Sequence, residues 1–172
     1  MKKNENQRVR LTKRLLRESL IEMLKTESIY NISIRELCLN AGINRSTFYR
    51  YYGSQFDLLK EMEDEVLMRI ENDLSLSNSV QSGQGDDSGH MNLISILRFI
   101  DENIDLVRML INSNVNPEFP PKLLYMPTIH EQLRNVIPDV NVQPEADYIY
   151  DFIVNGGYSI IKRWINQDTR ET

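Results

Sequence analysis

The chain has 172 residues, 41% of them hydrophobic, and a formal charge of −5 at pH 7. That length can bury one substantial core, or a small head and a larger body, but no run of about eighteen apolar residues exists that would span a membrane. A charged N-terminus unlike a secretory signal and a lone cysteine, which excludes an internal disulfide, make the cytoplasm the expected compartment.

Thr12–Lys25 reads as an amphipathic first helix, preceded by a basic stretch whose first few residues read as a flexible arm or a solubilising tail. Ser33 followed three residues later by Glu36 is a capping box, in which each residue satisfies a backbone amide that the first helical turn leaves unpaired. A helix is therefore expected from Ile34 to about Ala41, burying Ile34, Leu37, Cys38 and Ala41 on one face. Cys38 reads as a core filler. Gly42 stands where the chain must reverse, and glycine alone enters the left-handed region without steric cost. Asn44 is a good N-cap for the next helix, with Ile43 placed to staple onto Phe48.

On that second helix Phe48, Tyr51 and Tyr52 fall on one side, and Arg45, Ser46, Tyr49 and Arg50 on the other. Arginine can grip guanine with two hydrogen bonds, serine makes short permissive contacts, and tyrosine reaches phosphates or thymine methyls. The outer side thus fits a DNA major groove, although spacing alone fits a solvated charged face on a helical hairpin equally well. Charge distribution favours DNA. Residues 1 to 52 hold eleven Lys and Arg against five acids, a net +6, while residues 53 to 172 carry −11. A cationic head on an anionic body neutralises phosphate and orients the molecule. Lys2, Lys3, Arg8, Arg10, Lys13, Arg14 and Arg17 extend the basic region upstream.

Ser54 and Asp57 form another capping box, opening a helix with apolar positions Leu58, Leu59, Met62, Val66, Ile70 and Leu74 that is expected to end near Ser75. Twenty residues make a rod of roughly 30 Å. Ser75–His90, rich in serine and glycine, reads as a disordered loop. Leu93, Ile96, Leu97 and Ile100 mark a further helical face. A break at Asn103 separates it from Ile104, Val107, Leu110 and Ile111. A proline-rich turn at Asn116–Pro121 then leads to a helix over Lys122–Val136 that Pro127 splits or kinks. The last segment, Glu145–Ile165 behind Pro144, is apolar over more than half its circumference, which implies burial on two sides. Gly156 and Gly157 in its middle each cost a helix about 1 kcal/mol unless another backbone comes close or a ligand uses the space. With Ile149, Ile153, Ile160 and Trp164 they read as a helix–helix dimer seam.

Enzyme chemistry finds no support. His130-Glu131 is followed by Arg134 where a zinc-protease helix needs its second histidine, and there is no glycine-rich phosphate loop or nucleophile–base set. No metal or cofactor is expected.

The first helix followed by ISIRELCLNAGINRSTFYRYYGSQFDLL closely resembles the N-terminal DNA-binding domain of TetR/AcrR-type transcriptional regulators, over roughly Val9–Val66. The resemblance implies an all-α protein: a three-helix helix-turn-helix head, here residues 1–53, and a helical ligand-binding and dimerisation body, here 54–172. It implies base or phosphate contacts at Arg45, Ser46, Thr47 and Tyr49, and backbone anchoring at Ser33, Tyr51 and Gln55. Asn44 and Arg50 complete the expected DNA-contacting set. The sequence departs from the family pattern in three places. Tyr51 stands where histidine is common, Gln55 where a lysine usually meets phosphate, and Glu27-Ser28-Ile29 replaces the glycine after the first helix.

The expected function is a homodimeric, sequence-specific DNA-binding regulator, a repressor on a palindromic operator released by a small-molecule effector. Phe99, Met109, Tyr125, Met126, Tyr148, Phe152 and Trp164 are candidate pocket residues. The alternative is a body that binds a protein partner, in an activating or architectural role. The resemblance also implies two C-terminal helices at the seam, and the stretch from Trp164 to Thr172 is too short for the second.

Overall fold

The computed structural model describes residues 2–80, 87–112, 115–136 and 145–167. Its regular elements there are all α-helical: α1 (Lys2–Leu24), α2 (Ile34–Ala41), α3 (Arg45–Phe48), α4 (Gln55–Val80), α5 (Asp87–Glu102), α6 (Ile104–Ile111), α7 (Phe119–Leu124), α8 (Pro127–Val136) and α9 (Glu145–Ile165). Two compact units divide within α4, between Glu65 and Val66. The sequence reading put the boundary at 53/54; the first turns of α4 belong instead with the head, because Leu58, Leu59 and Met62 are buried there.

The head forms as its caps dictate. The Ser33 hydroxyl accepts the Glu36 amide and the Glu36 carboxylate accepts the Ser33 amide, each at 3.2 Å. Gly42 ends α2 at φ 65°, and its neighbour Ile43, half-buried, returns its amide to the Cys38 carbonyl at 2.9 Å. The Asn44 carboxamide oxygen then accepts the Ser46 amide at 3.0 Å and starts α3. This helix is shorter than its sequence pattern implied. After Phe48 the chain tightens into turns, with the Tyr51 and Tyr52 amides both reaching the Phe48 carbonyl, yet Phe48 and Tyr52 still share one side. Phe48 is fully buried with Leu16, Leu20, Ile29, Ile32 and Leu37, and Cys38 fills the same core.

Polar links then fix the helices. The Ser19 hydroxyl, buried, donates to the Leu37 carbonyl at 3.2 Å and ties α1 to α2. Lys13 donates to Glu61 at 2.7 Å, the Tyr52 hydroxyl donates to the other Glu61 oxygen at 3.1 Å, and the Lys13 ammonium lies 5.4 Å above the Tyr52 ring. Burial, then the neighbouring Glu61 carboxylate, pushes the Tyr52 hydroxyl well above its ordinary range, so it remains a donor. Arg17 pairs with Glu65 in the same way, joining α1 to α4 again.

Three boundaries differ from the sequence reading. α1 extends back to Lys2 instead of beginning near Thr12 after a flexible arm, since residues 2–11 contain neither glycine nor proline and several good helix formers. α4 runs to Val80, past Ser75, because the glycines begin only at Gly83. α5 starts at Asp87 inside the expected loop, an acidic residue that suits a helix start. Pro144, read as preceding α9, lies outside the described residues.

The body unit buries Val66, Ile70, Ile96, Ile100, Val107, Leu110, Ile111, Phe119, Val154 and Ile165. α7 accepts Pro120 and Pro121 in its first turn, where amides have no helical partner anyway, and Pro127 opens α8. Asp73, buried, accepts from Arg69 at 3.0 Å and from the Ser95 hydroxyl at 3.1 Å, linking α4 to α5. Arg108 donates twice to the Ile165 carbonyl, at 3.1 and 2.8 Å, satisfying the C-terminal end of α9 from α6.

Phe48→Ala is expected to destabilise the head by about 3–5 kcal/mol. A denaturant midpoint equal to the parent's would place Phe48 outside the core. Tyr52→Phe, which removes one donor from Glu61 but leaves Lys13, is expected to cost roughly 1 kcal/mol in the same measurement. No shift would show that the hydroxyl contributes nothing to holding the turn.

Candidate nucleic-acid interface

With Phe48 and Tyr52 turned inward, the opposite side of α3 and its following turn is presented outward. Arg45, Ser46, Tyr49 and Arg50 are exposed and Thr47 is half-buried. Tyr49 is 50% exposed, its ring 5.7 Å from Phe48 in an edge contact, and the Arg45 guanidinium stands 6.0 Å from the Tyr49 centroid. One core aromatic thus supports an outer one, which in turn steadies an arginine. The result is a small outward surface of two guanidiniums, a phenol and a hydroxyl, groups suited to phosphates and base edges.

The other expected contact residues take differing places. Ser33 is exposed, but its hydroxyl donates to Glu36 at 2.6 Å, and this bond with the Ser33 amide holds the Glu36 carboxyl below its ordinary range. Asn44 is exposed with its carboxamide oxygen occupied by the Ser46 amide and hydroxyl, both at 3.0 Å. Tyr51 is half-buried. Gln55, also half-buried, directs its amide at the Ile29 carbonyl, 3.5 Å away.

The basic count of the head divides in the structure. Lys13 and Arg17, read as part of a continuous basic region, are committed to Glu61 and Glu65. Arg14 makes an exposed pair with Glu18 within α1. Arg8, Arg10, Arg35, Arg45 and Arg50 are exposed. Sequence reading missed the supporting role of Lys13, Glu61 and Tyr52, since residues 48 positions apart in Lys13 and Glu61 show no periodic signal.

In the body, the seven candidate pocket residues are dispersed. Met109 and Met126 are buried; Trp164 is half-buried; Phe99 is half-buried beneath the Arg69 guanidinium at 5.3 Å. Tyr148 and Phe152 point outward from α9, 73% and 80% exposed, because they lie across that helix from the buried Val154 and Ile165. Tyr125 lines a cleft of about 520 Å³ with Pro127, His130, Glu131 and Tyr150.

The residues read as a seam occupy the outer side of α9. Ile149 and Ile160 are exposed, the latter at 71%, and Ile153 is half-buried. Gly156 and Gly157 are exposed, and beyond their own chain neighbours and local helix backbone nothing lies within 4 Å of where a Cβ would stand. Among the described residues no group of three or more His, Cys, Asp or Glu could hold a metal ion, and no helix is long and apolar enough to cross a membrane.

Comparison with known proteins accords with this architecture. Residues 88–172 match the TetR_C_8 family, described as a transcriptional regulator C-terminal region. Over 93 residues the chain is 27% identical to the HTH-type dhaKLM operon transcriptional activator DhaS of Lactococcus lactis subsp. lactis (strain IL1403), covering 54% of this chain and 45% of that protein. The chain thus matches about half the length of that relative. A solved structure, a TetR transcriptional regulator from Streptococcus agalactiae 2603V, shares the fold with a TM-score of 0.66 over 100% of this chain and 92% of its own, at 21% identity. Residues 88–172, just under half of the chain, thus match the C-terminal region of TetR-type transcriptional regulators, and the chain shares its fold with a solved TetR regulator.

Proposed function

We propose that the chain binds DNA in a sequence-specific manner as a homodimer on a palindromic operator, acting as a repressor that a small-molecule effector releases. The observation that carries this reading is the outward Arg45, Ser46, Tyr49 and Arg50 surface, held in place by the inward Phe48 and Tyr52. A single short helix contacts only a few base pairs, so two copies about a two-fold axis, spaced by about one helical turn of DNA, give useful specificity. Ser33 and Thr47 flank the surface as phosphate contacts. Asn44 contributes by capping, and Gln55 contributes less than a cation would.

The outer side of α9 supports the dimer. Phe152, Ile149 and Ile160 form an apolar stripe beside the Gly156-Gly157 opening, a surface that a second α9 would cover with close backbone approach. α4 carries residues of both compact units, so an effector that moves its second half changes the geometry of the first. A coupling of about 1–3 kcal/mol gives a switch of about 5- to 150-fold. The Lactococcus lactis relative is named an activator, which favours, as a second reading, activation by the same DNA-binding head.

Selection of bound sequences from a random pool would supply the operator. On that operator Arg45→Ala is expected to lose about 1–3 kcal/mol of discrimination at one position of each half-site. Uniform weakening on all sequences would show that Arg45 touches only phosphate, and affinity that stays flat between low and physiological salt would contradict the DNA reading. Phe152→Glu is expected to raise the dimer dissociation constant at least about 30-fold in analytical ultracentrifugation. A variant as dimeric as the parent would remove this side of α9 from the seam.

A further inference from the structure

The cleft at the α7–α8 junction has a definite chemistry. Of its five lining residues, three carry π rings: Tyr125, His130 and Tyr150. Tyr150 lies 4.7 Å from His130 and 6.1 Å from Tyr125, inclined by 44° and 38°, so the three rings are in tilted contact through Tyr150 and together line the cleft. The volume of about 520 Å³ falls within the range of about 300–1,000 Å³ usual for small-molecule sites.

Both tyrosines are held by their polar ends. The Tyr150 hydroxyl donates to the Leu124 carbonyl at 2.9 Å, and the Tyr125 hydroxyl donates to the Asp151 carboxylate at 3.0 Å. These bonds anchor the rings before any ligand arrives, which lowers the ordering cost of binding. They also consume the hydroxyls, leaving ring faces as the recognition surface. Charge completes the pattern. Glu131 lines the cleft, Asp151 stands behind Tyr125, and none of the five lining residues is a lysine or arginine. Burial, followed by Tyr125 and Asp151, pushes the Tyr150 hydroxyl above its ordinary range, in keeping with a negative local potential.

Electron-rich ring faces with a carboxylate beside them repel anions, and a purely apolar ligand makes no use of Glu131. We propose that this cleft binds a small organic cation of the quaternary-ammonium class, the ring faces meeting its methyl groups and Glu131 its charge. The assignment rests on the regulator reading only in making such a cation the effector; binding itself depends on the cleft alone.

Isothermal titration of the full chain with choline, and with the alcohol in which carbon replaces the quaternary nitrogen of choline, tests it. One saturable choline site per chain is expected, with the neutral analogue at least about 10-fold weaker. Tyr125→Leu and Glu131→Gln, both at exposed positions, are each expected to weaken choline by about 3- to 30-fold with an unchanged circular-dichroism melt. Absence of choline saturation at millimolar concentration, equal affinity for the two alcohols, or variants that bind as the parent does would each overturn the proposal. Operator binding measured on the same samples separates the two readings. Choline that binds without altering operator affinity upholds the cleft and refutes its effector role. A parent that takes choline but selects no DNA sequence upholds the cleft and refutes the regulator.

Discussion

The burial of Phe48 is the constraint on which the head depends. α3 is a single short turn of helix with no capacity to hold itself, since helices of this length are unstable alone and draw their stability from packing. Phe48, fully buried as Leu16, Leu20 and Leu37 are, sets the rotation of that turn about its own axis. Everything on the outer side follows from that rotation. Tyr49 leans on the Phe48 edge, Arg45 stands near Tyr49, and the Asn44 cap sets where the turn begins. Tyr52 then fixes the exit of the segment through Glu61, a carboxylate it shares with Lys13.

The charges of the head are therefore of two kinds. Lys13 and Arg17 work inside the unit, where partly covered ion pairs align α1 with α4, and their charge is already compensated by Glu61 and Glu65. Surface pairs of this sort contribute little individually, but here the Lys13 carboxylate partner also receives a phenol and the ammonium lies over its ring, so one cluster restrains three segments. The cations on α3 and its turn have no such role. A net charge summed over the sequence merges these groups, and it overstates the field available to an external anion.

Most of the head was legible before any coordinates, because its signals are local. The Ser33–Glu36 box, Gly42 and Asn44 each act within four residues, and the structure shows all three in the expected conformations. α9 was equally clear, its bounds set by a long apolar pattern. The failures are where local signals are permissive. Polar residues without glycine or proline, as at 2–11 and 75–80, fit an arm or a loop in sequence but continue their helices. The boundary near residue 53 follows the motif, whereas the units divide within α4, between Glu65 and Val66. Clusters made by distant residues, such as Lys13 with Glu61 or Tyr150 with His130, leave no trace in spacing.

The glycine pair of α9 carries a consequence for engineering. Neither Gly156 nor Gly157 is crowded by its own protomer, so alanine would fit at both and would strengthen the helix by up to about 1 kcal/mol per site. A methyl group there nonetheless thickens the one strip of the helix where a neighbouring backbone could lie flush. Under the α9 pairing proposed above, the added methyl would make the isolated subunit sturdier and the pair weaker, so heat tolerance and self-association would shift in opposite senses at these two positions.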